Sequence, residues 1–96
     1  MSKRDEYVAK LKAQFEEWNA EVRKWEAKAK GAQADVRIEY ENQLEAFRRQ
    51  RDQAMAQMRQ VQAAAGDAWL DLTRGADEAW AKAREAFAKA RSHFHK

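Results

Sequence analysis

The sequence predicts an all-α protein, built as a long helical hairpin or antiparallel coiled coil, with a three-helix bundle as the alternative arrangement. Three observations predict it. The 96 residues contain no proline and only three glycines, and Ala, Glu, Gln, Lys and Arg, all good helix formers, dominate. Apolar residues recur in steps of three and four from Val8 through Leu11, Phe15, Trp18, Val22, Trp25, Ala29 and Ala32 to Val36. That rhythm draws an apolar seam along one side of a helix, and a seam needs a partner helix. Third, the chain is polar, with mean hydropathy −1.00, yet it carries four Trp, four Phe and two Tyr. Disordered chains are poor in such residues, so the rings supply a core in the form of a thin stripe.

A single domain over residues 1–96 is expected. Ser2 with Asp5 three residues on resembles a capping box and starts the first helix. Glu6 with Lys10 and Glu26 with Lys30 are acid-first i,i+4 pairs that mark its solvated face. Gly31 is the first possible break. The seam passes it unshifted, and Ala32-Gln33-Ala34 offers no strong N-cap. Gly31 is therefore read as a helix glycine, and the first helix as running over about 2–65. After Val36 the steps become four, four and three, through Tyr40 and Leu44 to Phe47, which locally relaxes the supercoil. Arg51 follows in a seam position, its stem packed and its guanidinium directed to water. Ala54, Met58, Val61 and Ala65 complete the line.

Gly66-Asp67 is the stronger break, because Gly ends helices in the left-handed conformation and Asp caps the next one. A second helix over about 67–94 carries Trp69, Leu72, Ala76, Trp80, Ala83, Phe87, Ala90 and Phe94. Trp69 and Trp80 stand eleven residues apart, nearly on one face. Gly75 is a candidate kink, or the end of a short linking turn of helix. Arg91, His93 and His95 place cations at the helix C-terminus, where they suit its dipole.

The chemistry-bearing residues form no catalytic constellation. His93 and His95 at i,i+2 face different sides of a helix and have no sulfur or acidic ligand beside them, so no metal site is expected. Ser92 beside His93 lacks a third partner. There is no cysteine and no glycine-rich phosphate loop, and no cofactor is expected. The net charge of +3 is spread along the chain. Its densest basic patch, Arg48-Arg49-Gln50-Arg51, is flanked by Glu45 and Asp52, so nucleic acid is an unlikely partner. No apolar run is long enough for a membrane span, and the start lacks the apolar core of a signal peptide. A non-enzymatic, cytoplasmic protein is the expectation. Binding to a lipid surface through its amphipathic helices, or to nucleic acid as an accessory protein, are the alternatives.

The seam itself is the candidate functional feature: Val8, Leu11, Phe15, Trp18, Val22, Trp25, Val36, Tyr40, Leu44, Phe47, Trp69, Leu72, Trp80 and Phe87. Lengths give the reason. A first helix of roughly 95 Å and a second of roughly 40 Å leave the second unable to reach Trp18. Phe15, Trp18, Val22 and Trp25 would then lie open in one strip, which soluble monomers rarely expose. A homodimer, or a higher homo-oligomer, is the predicted remedy.

Three stretches, SKRDEYVAKLKAQFEEWNAE, RIEYENQLEAFRRQRDQA and GDAWLDLTRGADEAWAKAREAFAKARSHF, resemble a family of short bacterial coiled-coil proteins associated with stress responses. Gly66-Asp67-Ala68-Trp69 followed by Leu72, Gly75 and Ala79-Trp80 is the most specific part. The resemblance spans essentially the whole chain. It implies a stress-associated role and carries over no catalytic residue.

Overall fold

The computed structural model describes residues 2–95, which are 90% helical. Three helices follow one another: α1 (Lys3–Lys30), α2 (Ala34–Ala63) and α3 (Ala68–Phe94). They make an antiparallel three-helix bundle measuring 52 × 20 × 18 Å. The all-α class is as the sequence predicts, and of the two arrangements it is the bundle.

α1 begins as expected. The Ser2 hydroxyl accepts a hydrogen bond from the Asp5 N–H at 3.1 Å, satisfying one of the orphan donors of the first turn. α1 then ends at Lys30, and this corrects the reading of residues 2–65 as one helix. Gly31 caps the end in the right-handed region, φ −87° and ψ −1°. The chain changes direction at Gln33, which is extended at φ −65° and ψ 157°. The physical reason lies in the lengths. Helices of 28, 30 and 27 residues match one another, so the chain can cover its own seam. Burying a large apolar side chain contributes about 1.5–3 kcal/mol. Trp18 and Trp25, now 4% and 3% exposed, outweigh a few backbone hydrogen bonds worth about 1 kcal/mol each.

The second turn lies at the predicted place. Gly66 has φ +57° and is the one positive-φ residue among those described. α2 stops just before it, at Ala63. Asp67 stands at the N-cap of α3, but its side chain makes no capping hydrogen bond. α3 runs without interruption through Gly75, so Gly75 is neither a kink nor a helix end.

Side-chain size sets the spacing between helices. α2 and α3 pack closely, because Ala76, Ala83 and Ala90 recur at seven-residue steps along α3 and are 0% exposed. Ala54 of α2 is equally buried. α1 meets α3 through rings instead. Trp18 stacks on Trp80 at 5.4 Å and on Phe87 at 5.7 Å. Trp25 lies parallel to Phe94 at 5.1 Å and tilted on Phe87 at 5.0 Å. Phe47 of α2 meets Trp18 edge-on at 5.7 Å. Such pairs add about 0.5–1.5 kcal/mol beyond their area. They also hold α1 further from α3 than alanines would.

A candidate interaction surface around a closed aromatic seam

The structure gathers most of the predicted seam. Val8, Leu11, Trp18, Val22, Trp25, Leu44, Phe47 and Trp80 are buried together within one chain. Phe15, Tyr40, Trp69, Leu72 and Phe87 pack half-buried against them. Trp69 and Trp80 both face α1, the first against Tyr7 at 6.3 Å and the second on Trp18. Val36 is the exception. It lies in the first turn of α2 and is 37% exposed, because the chain has turned before reaching it. Trp18 is covered by α3 of its own chain. The inference from lengths to a second chain therefore fails, since it assumed an unbroken first helix.

Polar groups at the seam's edges are tied into the fold. Arg51, in its seam position, sets its guanidinium 5.8 Å above the Phe15 ring and donates to Asn19 Oδ1 at 3.3 Å and to Asp52. The aromatic face and two acceptors take the place expected for water. Trp80 Nε1 donates to Gln14 Oε1, whereas the buried Trp25 Nε1–H finds no protein acceptor. Tyr7 donates its hydroxyl hydrogen to Asp77 Oδ1, with the Thr73 carbonyl 3.4 Å from the same oxygen. Burial, then the hydrogen bond and the negative charge of Asp77, push the phenol well above its ordinary pKa.

Each helix C-terminus is met by a cation from elsewhere in the chain. Arg37 of α2 donates to the Lys30 and Ala32 carbonyls at 3.3 and 3.2 Å. Arg4 of α1 donates to the Ala64 carbonyl at 2.7 Å. Lys28 of α1 donates to the Phe94 carbonyl. Each satisfies carbonyls that the helix leaves unpaired and faces the negative end of the dipole. His93 Nδ1 lies 3.0 Å from Glu39 Oε1 and joins the end of α3 to the start of α2. Sequence reasoning missed all of these, and each joins residues distant in sequence or straddles the turn.

The basic patch is neutralised. Arg48 pairs with Glu26 at 3.4 Å, Arg49 with Glu45 at 3.3 Å and Arg51 with Asp52 at 3.2 Å. Among the described residues no three His, Cys, Asp or Glu side chains come together as a metal site. Nor, among the described residues, is any helix long and apolar enough to cross a membrane.

Among the described residues, the large apolar side chains that stay exposed lie at the two ends of the bundle. Val36 and Ile38, 37% and 61% exposed, stand beside the α1–α2 turn. Leu70, 55% exposed, stands beside the α2–α3 turn. There it lines an open groove of about 480 Å³ with Trp69, Gly66, Asp67, Ser2, Lys3 and Arg4. Comparison with protein families, curated proteins and solved structures returns no match for this chain.

Proposed function

We propose that this chain is a non-enzymatic, self-associating helical-bundle protein, a homodimer in the first instance, cytoplasmic as its sequence leads one to expect and stress-associated by the resemblance alone. The observation that carries the reading is the placement of the surplus apolar side chains. With the seam closed inside one chain, Val36 and Ile38 remain open at one end and Leu70 at the other. Water-facing Ile and Leu at helix termini are suited to contact between chains. Arg4, Lys28, Arg37, Tyr7, Trp80 and His93 are engaged in caps and interhelical bonds.

Light scattering across a concentration series tests this. The expected result is a mass that rises from one chain toward two between micromolar and near-millimolar concentration, with Ile38→Glu or Leu70→Glu displacing the rise. A mass of one chain throughout would refute the reading.

A second reading, contact with an anionic lipid surface, is favoured by one observation. Trp69 and Leu70 share a groove with Lys3 and Arg4, and aromatic, aliphatic and cationic side chains together suit a membrane interface. Co-sedimentation with anionic vesicles, lost in Leu70→Glu, is its test.

A further inference from the structure

The α1–α2 turn differs from the α2–α3 turn in how little separates it from a helix. Gly31 already lies in the right-handed region. Neither Gly31 nor any residue of the turn has a positive φ, and the chain has no proline. Gln33 is extended, at ψ 157°; its carbonyl accepts from the Arg37 N–H at 2.7 Å, but its side chain makes no capping bond to α2. Returning that ψ to about −45° would carry the chain toward helix. The carbonyls of Lys30 and Ala32, held in the turn by Arg37, would then be bonded by the N–H groups of Ala34 and Val36. The apolar spacing agrees, since Ala29, Ala32, Val36 and Tyr40 keep steps of three and four across the turn.

We propose that the turn at Gly31–Gln33 opens into helix and that two copies of this chain exchange α1. In the exchanged dimer residues 3–63 form one helix of roughly 90 Å. α1 of each copy lies on α2 and α3 of the other, with Trp18 on Trp80 and Trp25 on Phe94 as in the closed chain. Every interhelical contact away from the turn is kept, so the balance rests on the turn and on the concentration of chains. Val36, open in the closed chain, lies where the two long helices cross. The inference rests on the self-association reading and names its mode.

Two substitutions act on the turn in opposite directions. Ala34→Pro fits the turn. Position 34 is the first residue of α2, where proline is favoured, and Gln33 before it is already extended, as a residue preceding proline must be. In a continuous helix the same proline removes the bond to Lys30 and clashes, a penalty of roughly a hundredfold per opened turn. Arg37→Ala has the reverse effect, because the guanidinium caps carbonyls that need it only when the turn is closed. A capping contact is worth a few-fold per turn and a dimer opens two, so its dimerisation constant should rise roughly tenfold.

The experiment refolds wild type, Ala34→Pro and Arg37→Ala at micromolar and near-millimolar concentration, then measures mass by light scattering and particle length by X-ray scattering. Melting followed by circular dichroism shows that each variant folds. The expected result is a wild-type dimer fraction that grows with refolding concentration and is much longer than the 52 Å of the closed bundle. Arg37→Ala should enlarge it and Ala34→Pro, folded and monomeric, should lack it. A folded Ala34→Pro that dimerises as wild type does would overturn the exchange and leave self-association standing. Wild type and Arg37→Ala that both stay monomeric would overturn the two together.

Discussion

The hydroxyl of Tyr7 gives its hydrogen to Asp77, and its pKa is raised by burial first and by Asp77 second. In the unfolded chain the phenol ionises near its ordinary value of about 10, while in the bundle it keeps its proton to higher pH. Its contribution to stability is therefore complete below about pH 10 and falls away as pH rises beyond that. Melting temperatures measured upward from neutral pH should fall more steeply for wild type than for Tyr7→Phe above this point. At neutral pH the variant should be less stable by about 1 kcal/mol, the worth of the lost hydrogen bond. Parallel curves would show that the phenol makes no such contribution. Two of the buried indoles illustrate what spacing alone does not specify. Heptad position places Trp25 and Trp80 in the core alike, but only Trp80 has a Gln14 within reach. That difference depends on how α1 lies against α3.

The glycines separate at the level of the helices. Gly75 sits in mid-α3, where an added Cβ would come 3.1 Å from the side-chain oxygen of Gln57. Gln57 is the far end of a flexible side chain, and replacing a helix glycine by alanine is worth about 1 kcal/mol. Gly75→Ala should therefore raise the denaturant midpoint. Gly66→Ala should lower it, with a loss of stability of about 1 kcal/mol, because the left-handed φ of +57° strains an L-residue although nothing crowds the site. Equal shifts of one sign would contradict the assignment of the two positions. Gly66 was legible in the sequence because its conformation is a property of the residue itself. The break at Gly31 was not, since Gly31 stays right-handed and Gln33 lacks a capping bond. Its device is the Arg37 guanidinium reaching back over the turn, which has no local signature. The apolar seam was legible for most of its length. Its closure within one chain was not, because periodicity gives the face of a helix and does not say which helix covers it.

Across the whole molecule the three interhelical faces are unequal. Alanines at positions 76, 83 and 90 bring α3 against α2, whereas stacked rings hold α1 away from α3. Rings gather much buried area into a few contacts, and removing α1 uncovers Trp18, Val22 and Trp25 in one step. The hairpin of α2 and α3 keeps its alanine interface when this happens. Such a division is one of cooperative units, with α1 as the unit of lower opening free energy. Native-state amide exchange should then show the interior amides of α1, from Leu11 to Ala29, sharing one exchange free energy. The amides around Ala54–Val61 and Ala76–Ala90 should exchange only through global unfolding. A single free energy for all three helices would mean that the faces act as one. A methyl group repeated every seventh residue thus decides which part of the chain water reaches last.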